Sequence, residues 1–249
     1  MNSANQPIIE VLYPRFGCQA GDNGNVMYLK ACLPEARFIE THAGSRPYFA
    51  DARPDLIVMG SMSELCQEIA ITELKAYRDR LIALIEADVP MLFTGTAGEV
   101  LAQTIVQPNG ARIDGLGILD AVVRRCAPER FFDVNLCRFV PSEDEAPCTV
   151  VGYKVQFTQI EGNNQTSFFG RNEVGFGLRK GMSLEGFRHH NLLVTSMLGP
   201  LLPINPDFTA WLLRLVTGAP VELAFEDLSR AAWERRIQEF KIPGVGIHI

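Results

Sequence analysis

The amino-acid sequence predicts an α/β fold with a mostly parallel sheet, helices on both of its faces and antiparallel strands at one edge. Three observations support this prediction. Apolar runs begin near residues 8, 55 and 89, and helical segments separate them. Later runs near residues 150 and 191 are separated by turn-rich segments typical of hairpins. This order of elements is typical of a flavodoxin-like three-layer αβα sandwich.

The individual elements follow from local patterns. β-branched and apolar residues predict strands over residues 8–13, 38–40, 55–60, 89–93 and 150–160. Apolar residues at three- and four-residue spacing predict helices over residues 26–33, 69–87, 208–215 and 227–241. The polar cluster at residues 162–165 predicts a hairpin turn.

Composition limits the classes of function. The chain has 249 residues, of which 47% are hydrophobic, so residues 1–249 can form a single domain, with 221–249 as a C-terminal helical extension. A net charge of −6 without a basic stripe argues against nucleic-acid binding. No apolar run is long enough to span a bilayer, and residues 1–14 lack the pattern of a secretory signal.

The cysteine pattern indicates a reducing compartment. The six cysteines include no C-x-x-C pair and no histidine at ligand spacing, so we expect reduced thiols, no bound metal and no cofactor. The same pattern predicts a cytoplasmic protein.

Residues 90–103 read as an apolar strand, a sharp glycine-rich turn and the start of a helix in immediate succession. Such a turn forces one residue into a strained, positive-φ conformation and lifts its side chain above the sheet edge. Enzymes place a nucleophile at this position. This chain offers Gly95 and Thr96.

This stretch resembles the nucleophile elbow of class I glutamine amidotransferases, P-x-x-x-x-C-x-G-x-Q-x-L. It is especially similar to the glutaminase (GatD-like) subunit of lipid II isoglutaminyl synthase and to CobB/CobQ-type amidotransferase domains. Anchoring on Pro90 and on residues 99–101 places Gly95 at the cysteine position, whereas anchoring on Gly98 places Thr96 there. The first alignment agrees on two flanks. Neither alignment supplies a thiol.

Three further segments share the resemblance. Residues 21–25 match the end of the family's Y-G-D-x-G-N segment. Gly60 begins a loop that resembles G-G-G-x-x-x-x-Q, whose backbone N–H groups contribute to the oxyanion hole in the family. Ser61 and Met62 replace the other two glycines, while Gln67 is retained. In the strand that resembles G-Y/F-E-x-H, Gln156 takes the histidine position.

Residues 185–206 resemble E-G-x-x-x-G-N-x-x-G-T-Y-L-H-G-P-x-L-x-x-N-P without a gap, and the family's catalytic histidine falls on Leu198. His189 and His190 lie upstream. Because adjacent residues on a strand point to opposite faces, we do not expect these two histidines to share a site.

The resemblance implies glutamine hydrolysis by a thiolate, a histidine and oxyanion donors. Without thiol and imidazole, the sequence predicts a pseudo-glutaminase that serves as a binding or regulatory subunit for a Mur-ligase-like or other synthetase partner. The alternatives are an active glutaminase supplying ammonia for a cell-wall precursor or cobyric acid, another enzyme, or a sensor of a small amino-acid-like ligand. Another enzyme would use Thr96, Ser61, Glu99 or Cys66. The predicted ligand-binding residues are Gly60, Ser61, Met62, Glu99 and Gln156.

Overall fold

The structure, a computed structural model, describes residues 6–242. Residues 1–5 lie outside the described residues; they begin the segment 1–14, which was predicted to lack a secretory signal. The end of the predicted helical extension, residues 243–249, also lies outside them.

Within residues 6–242 the chain forms fourteen strands. They are β1 (Ile8–Leu12), β2 (Arg37–Thr41), β3 (Leu56–Met59), β4 (Met91–Thr94), β5 (Thr104–Val106), β6 (Arg112–Asp114), β7 (Ala121–Arg125), β8 (Phe131–Phe139), β9 (Cys148–Gln156), β10 (Thr158–Gly162), β11 (Gly170–Val174), β12 (Leu184–Glu185), β13 (Phe187–His189) and β14 (Leu192–Thr195).

The described part of the chain also forms five α-helices and several short 3₁₀ helices. The α-helices are α1 (Gly24–Cys32), α2 (Glu64–Leu74), α3 (Arg78–Glu86), α4 (Pro206–Thr217) and α5 (Glu226–Glu239). None of these helices is long and apolar enough to cross a membrane.

The central sheet has six strands in the order β13-β14-β4-β3-β1-β2. All neighbouring pairs are parallel except β13 and β14, which pair antiparallel at the edge. The parallel part, read from β2, repeats the strand order of flavodoxin-like folds. The predicted fold class is therefore confirmed, including the antiparallel edge.

Helices cover both faces of this sheet, and successive strand residues divide between the two cores. Ile57 and Phe93 pack with α2 and α3, whereas Val58 and Leu92 pack with α1 and α4. This division follows from the alternation of side chains along a strand. It explains why these strands read as continuous apolar runs.

Two four-stranded sheets flank the central one, in the orders β10-β7-β5-β6 and β12-β11-β8-β9. The first adds Ile105, Val123 and Ile160 to the core under α2 and α3. The second adds Phe139 and Val150 to the core under α1 and α4. These sheets bring the second half of the chain over the carboxyl edge of the parallel strands.

Some sequence predictions were wrong in detail. The helix predicted over residues 69–87 is two helices, α2 and α3, joined by a 3₁₀ turn where Tyr77 packs edge-on against buried Phe49. The strand predicted over 150–160 is divided at residue 157, because β9 pairs with β8 while β10 pairs with β7.

The hairpin turn predicted at residues 162–165 was also wrong. The strands on its two sides, β10 and β11, belong to different sheets and do not pair. Asn164 is fully buried there, and its Nδ2 donates to the Gly186 carbonyl at 2.8 Å. A polar cluster that resembled a surface turn is thus a buried link between two segments.

A buried ion pair joins β9 to β12 within one flanking sheet, and its carboxylate also accepts a hydrogen bond from β14 of the central sheet. Lys154 on β9 and Glu185 on β12 are both fully buried, with Nζ and Oε2 2.5 Å apart. The ammonium also donates to the carbonyls of Phe176 and Gly177. Glu185 Oε1 accepts from the Thr195 hydroxyl at 2.8 Å. The charges are therefore paired and hydrogen-bonded, as buried charges must be.

Replacing Lys154 alone leaves the carboxylate of Glu185 buried without its counter-ion. We expect Lys154→Met to lower the free energy of unfolding by about 3–5 kcal/mol, as when one partner of a buried pair is removed. Urea denaturation measures this change. The matched control is Arg124→Met, which removes the half-exposed Arg124–Glu161 pair and should cost less than about 1 kcal/mol. Equal losses in the two variants would contradict the prediction.

Candidate functional site

The predicted elbow lies at the carboxyl end of β4. Gly95 follows the strand directly and has φ +57°, the left-handed conformation that favours glycine. The predicted positive-φ turn is confirmed. The helix expected after it is not α-helical: residues Gly95–Leu101 form a 3₁₀ helix, after which β5 begins.

The space above Gly95 is filled by two side chains. A Cβ placed on Gly95 would lie 2.6 Å from Cβ and Oγ of Ser61 and 2.7 Å from Cδ2 of Leu198. These separations are well inside van der Waals contact. Ser61 and Leu198 are each only 2% exposed. The volume that a side chain at the elbow would need therefore belongs to the two residues that replace a glycine and a histidine of the resembled motifs.

The loop after β3 is held by Thr96, the residue next to the elbow. The Thr96 hydroxyl donates to the Met62 carbonyl at 2.5 Å and accepts from the Met62 N–H at 2.9 Å. Its oxygen also lies 3.1 Å from Ser61 Oγ. The Thr96 hydroxyl therefore makes its hydrogen bonds to the loop at residues 61–62.

The Ser61 N–H also has a hydrogen-bond partner within the protein, because it donates to Asp22 Oδ2 at 2.7 Å. The same carboxylate accepts from the Thr94 hydroxyl at 2.5 Å and from Asn25 Nδ2 at 2.7 Å. Asp22 is 1% exposed, and burial raises the pKa of its carboxyl. Backbone donors that could stabilise an oxyanion at residues 61 and 62 are therefore satisfied within the protein.

A second buried carboxylate lies behind the elbow. Glu99 accepts from the Thr158 hydroxyl at 2.5 Å and from Gln67 Nε2 at 2.8 Å. Gln67 in turn accepts from Arg125 at 3.0 Å. Burial raises the pKa of the Glu99 carboxyl, and the two hydrogen bonds oppose that rise.

Most of the predicted site residues line one cleft of about 170 Å³. The cleft is lined by the predicted residues Ser61, Met62, Thr96, Glu99, Gln156 and Leu198, together with Glu64 and Arg130. Gly60 instead lines a neighbouring cleft of about 190 Å³, beside Asp22. Gly95 lies beneath the first cleft, separated from it by Ser61 and Leu198.

Sequence reasoning missed several residues of this site. Thr158 and Arg125 belong to the Glu99 network, yet each lies in an alternating strand pattern that does not distinguish it from its neighbours. Gln156 was predicted, and its Nε2 donates to the Thr158 carbonyl at 2.8 Å. The signal for Asp22 was its place in the glycine-rich segment at residues 21–25.

Cys66 and the histidines lie apart from each other. Cys66 is in the first turn of α2, where its N–H donates to Ser63 Oγ. Among residues 6–242, the histidine rings pair with carboxylates: His42 with Glu40, and His189 and His190 with Glu86. All six cysteines are free thiols, as predicted.

The expectation that His189 and His190 point apart was wrong. Their ring centroids are 4.7 Å apart. His189 ends β13, but His190 lies in the turn with φ +53°, so strand alternation does not apply to it.

Two characterised proteins are similar in sequence, and no family model matches the chain. The lipid II isoglutaminyl synthase subunit GatD of Staphylococcus aureus is 29% identical over 161 residues, 64% of this chain and 62% of that protein. The corresponding subunit of Streptococcus pneumoniae is 23% identical over 217 residues, 86% of this chain and 80% of that protein. The first match thus spans less than two thirds of its relative.

Among solved structures, PurLQS from Thermotoga maritima superposes with a TM-score of 0.52 at 9% identity, covering 85% of this chain and 96% of that one. This likeness concerns the fold alone. A glutamine amidotransferase from Thermotoga maritima gives a TM-score of 0.48 at 11% identity, over 95% and 93% of the two chains.

The fold and the elbow define a protein built on the scaffold of class I glutamine amidotransferases. The two sequence relatives make the chain similar to GatD-like proteins and support a class I glutamine amidotransferase-like family for it.

The packing above Gly95 predicts a large penalty for any side chain there. We expect Gly95→Ala to lower the free energy of unfolding by about 2–5 kcal/mol, of which about 1–2 kcal/mol is left-handed strain and the remainder overpacking. Gly110 is the matched control, since it has φ +84° and a Cβ placed on it would have nothing within 4 Å. Gly110→Ala should show the strain alone. Equal losses by chemical denaturation would mean that the space above Gly95 is open.

The raised pKa of Glu99 predicts a pH-dependent stability. A carboxyl with a raised folded-state pKa stabilises most below its ordinary value of 4.5, and this contribution is lost as the pH rises through the folded pKa. Gln at this position keeps the volume, accepts from Gln67 and donates to Thr158. We therefore expect the stability of Glu99→Gln relative to the native protein to increase as the pH rises from about 4.5.

The control for that titration has the opposite sign. Arg124 lowers the pKa of the exposed Glu161 carboxyl, so Glu161→Gln should lose relative stability as the pH rises. Thermal unfolding across this pH range compares both variants with the native chain. A difference for Glu99→Gln that does not change with pH would refute the prediction.

Proposed function

We propose that this protein is a catalytically degenerate glutamine amidotransferase-like subunit that binds and regulates a Mur-ligase-like or other synthetase partner. The observation that carries the proposal is Gly95. It keeps the left-handed elbow conformation, while Ser61 and Leu198 occupy the volume above it. We further propose that the chain acts as one domain, in the cytoplasm.

Amide hydrolysis on this scaffold requires a nucleophile, a proton shuttle and oxyanion donors acting together. Gly95 has no side-chain atom, and the apolar Leu198 cannot accept a proton. The N–H groups of Ser61 and Met62 are already bonded to Asp22 and Thr96. None of the three positions therefore carries a group that can perform its catalytic role.

The remaining nucleophile candidates give little support to an active enzyme. The Thr96 hydroxyl bonds the Met62 backbone on both sides. Cys66 lies in α2 without a histidine partner among the described residues, and a thiol without an adjacent base is a poor nucleophile at neutral pH. These contacts favour a binding role over catalysis with a substituted nucleophile.

A partner is supported by the relatives, whose names make them subunits of lipid II isoglutaminyl synthase. The outer helices offer contact surface for such a partner. Leu65 and Ile69 on α2 lie one turn apart; Leu65 is 70% exposed, and Ile69 is partly exposed. Exposed apolar side chains on one face of a helix are the kind of surface that a protein partner covers.

The cleft supports a second candidate, a sensor of a small amino-acid-like ligand. It retains about 170 Å³, and both Glu64 and Arg130 line it. Opposite charges in one cleft suit a ligand that carries an ammonium and a carboxylate. This role is compatible with a regulatory subunit.

The test is a glutaminase assay with and without the co-purified synthetase partner. We expect glutamate release at the background rate in both cases, and stable co-purification with a Mur-ligase-like protein. Release that Cys66→Ala abolishes, while the control Cys126→Ala does not, would establish an active enzyme and overturn the proposal. A thermal shift with amino acids but not with the synthetase would favour the sensor, because a ligand at about 100 times its Kd adds roughly 2.7 kcal/mol of stability.

A further inference from the structure

At the edge of the central sheet opposite the elbow, a compact group of histidines and carboxylates belongs to none of the roles above. His189 ends β13 and His190 occupies the turn before β14. Glu86 ends α3, and Asp88 lies in the connection between α3 and β4. From these positions, we propose that Glu86, His189 and His190 form a binding site for a divalent transition-metal ion of the zinc type.

The three side chains place their ligand atoms close together. His189 Nε2 lies 3.3 Å from Glu86 Oε1, and His190 Nε2 lies 3.4 Å from Glu86 Oε2. All three ligand atoms lie within 4.8 Å of one another. Bonds of about 2.0–2.1 Å in tetrahedral geometry separate neighbouring ligands by roughly 3.3 Å. The two nitrogen–oxygen distances, one to each oxygen of Glu86, are close to this separation, and small side-chain rotations would bring all three ligand atoms around one ion.

Asp88 supplies the outer partner that metal-binding histidines use. Its Oδ1 lies 3.0 Å from His190 Nδ1. A carboxylate that accepts from Nδ1–H leaves the Nε2 lone pair free for a metal and orients the ring. His190 therefore directs Nε2 towards Glu86 and the site.

The backbone holds these groups in place. Asp88 and His190 both adopt left-handed conformations, with φ +57° and +53°. The Asn191 side chain donates to the Asp88 carbonyl at 2.9 Å, which ties the two loops together. The ligand side chains are 34–57% exposed, so an ion can reach them and water can fill a fourth position.

The donor set defines the class of ion. Two imidazoles and one carboxylate suit Zn²⁺, Co²⁺, Ni²⁺ or Cu²⁺, whereas Mg²⁺ and Ca²⁺ prefer oxygen ligands throughout. An ion here would join the β13–β14 hairpin to the α3–β4 connection. The site lies at the amino ends of β4 and β14, away from the cleft at their carboxyl ends, so the proposal is independent of the proposed function.

The experiment is calorimetric titration of the untagged full chain with Zn²⁺, and with Mg²⁺ for comparison. We expect one saturable Zn²⁺ equivalent and no Mg²⁺ binding. His189→Ala and His190→Ala should each weaken Zn²⁺ binding at least tenfold. Asp88→Asn should weaken it about tenfold, as for other outer partners.

His42→Ala is the matched control, because His42 is a half-exposed histidine that pairs with a single carboxylate, Glu40. It should leave Zn²⁺ affinity unchanged. The Co²⁺ form should show tetrahedral visible absorption without thiolate charge-transfer bands. The proposal fails if the full chain shows no saturable Zn²⁺ binding. It also fails if either His189→Ala or His190→Ala binds Zn²⁺ as tightly as the native chain, or if the Co²⁺ spectrum shows thiolate ligands.

Discussion

The architecture of the site depends on the buried carboxylate of Asp22. Its two oxygens accept from Asn25 at the start of α1, from the Ser61 N–H after β3 and from Thr94 at the end of β4. One side chain thus joins three neighbouring segments at the carboxyl edge of the parallel sheet. These donors offset part of the cost of burying the carboxylate, although burial still raises its pKa.

The link extends to the segment that carries Leu198. Asn25 bonds Asp22 through Nδ2 and accepts from the Leu202 N–H through Oδ1 at 2.8 Å. Asp22 and Asn25 together therefore hold both the loop at Ser61 and the segment before Leu202 in place. Both segments converge on Gly95, where the elbow keeps its left-handed backbone beneath a filled surface. An elbow preserved in shape but covered by a hydroxyl and a leucine fits a scaffold for binding.

Sequence reasoning anticipated the parallel core because each buried strand is a continuous apolar run between helical segments. It anticipated Gly95 because the flanking segments align without a gap. It failed where one local pattern suits two tertiary settings. The polar residues around Asn164 resemble a surface turn but are buried, and residues 150–160 change sheets at Phe157 without any local signal. The direction of the His190 side chain was predicted wrongly, because His190 lies in a left-handed turn where the alternation of side chains along a strand does not apply.

The sequence by itself determined the fold class, the position of the elbow and the absence of a thiol at Gly95 and of an imidazole at Leu198. These are matters of residue identity and of short-range periodicity. Only the tertiary structure decided that Ser61 and Leu198 share the volume above Gly95, that Glu99 joins Gln67 and Thr158, and that two histidines converge on Glu86. These contacts join segments far apart in the chain, and their geometry depends on how whole sheets and helices pack.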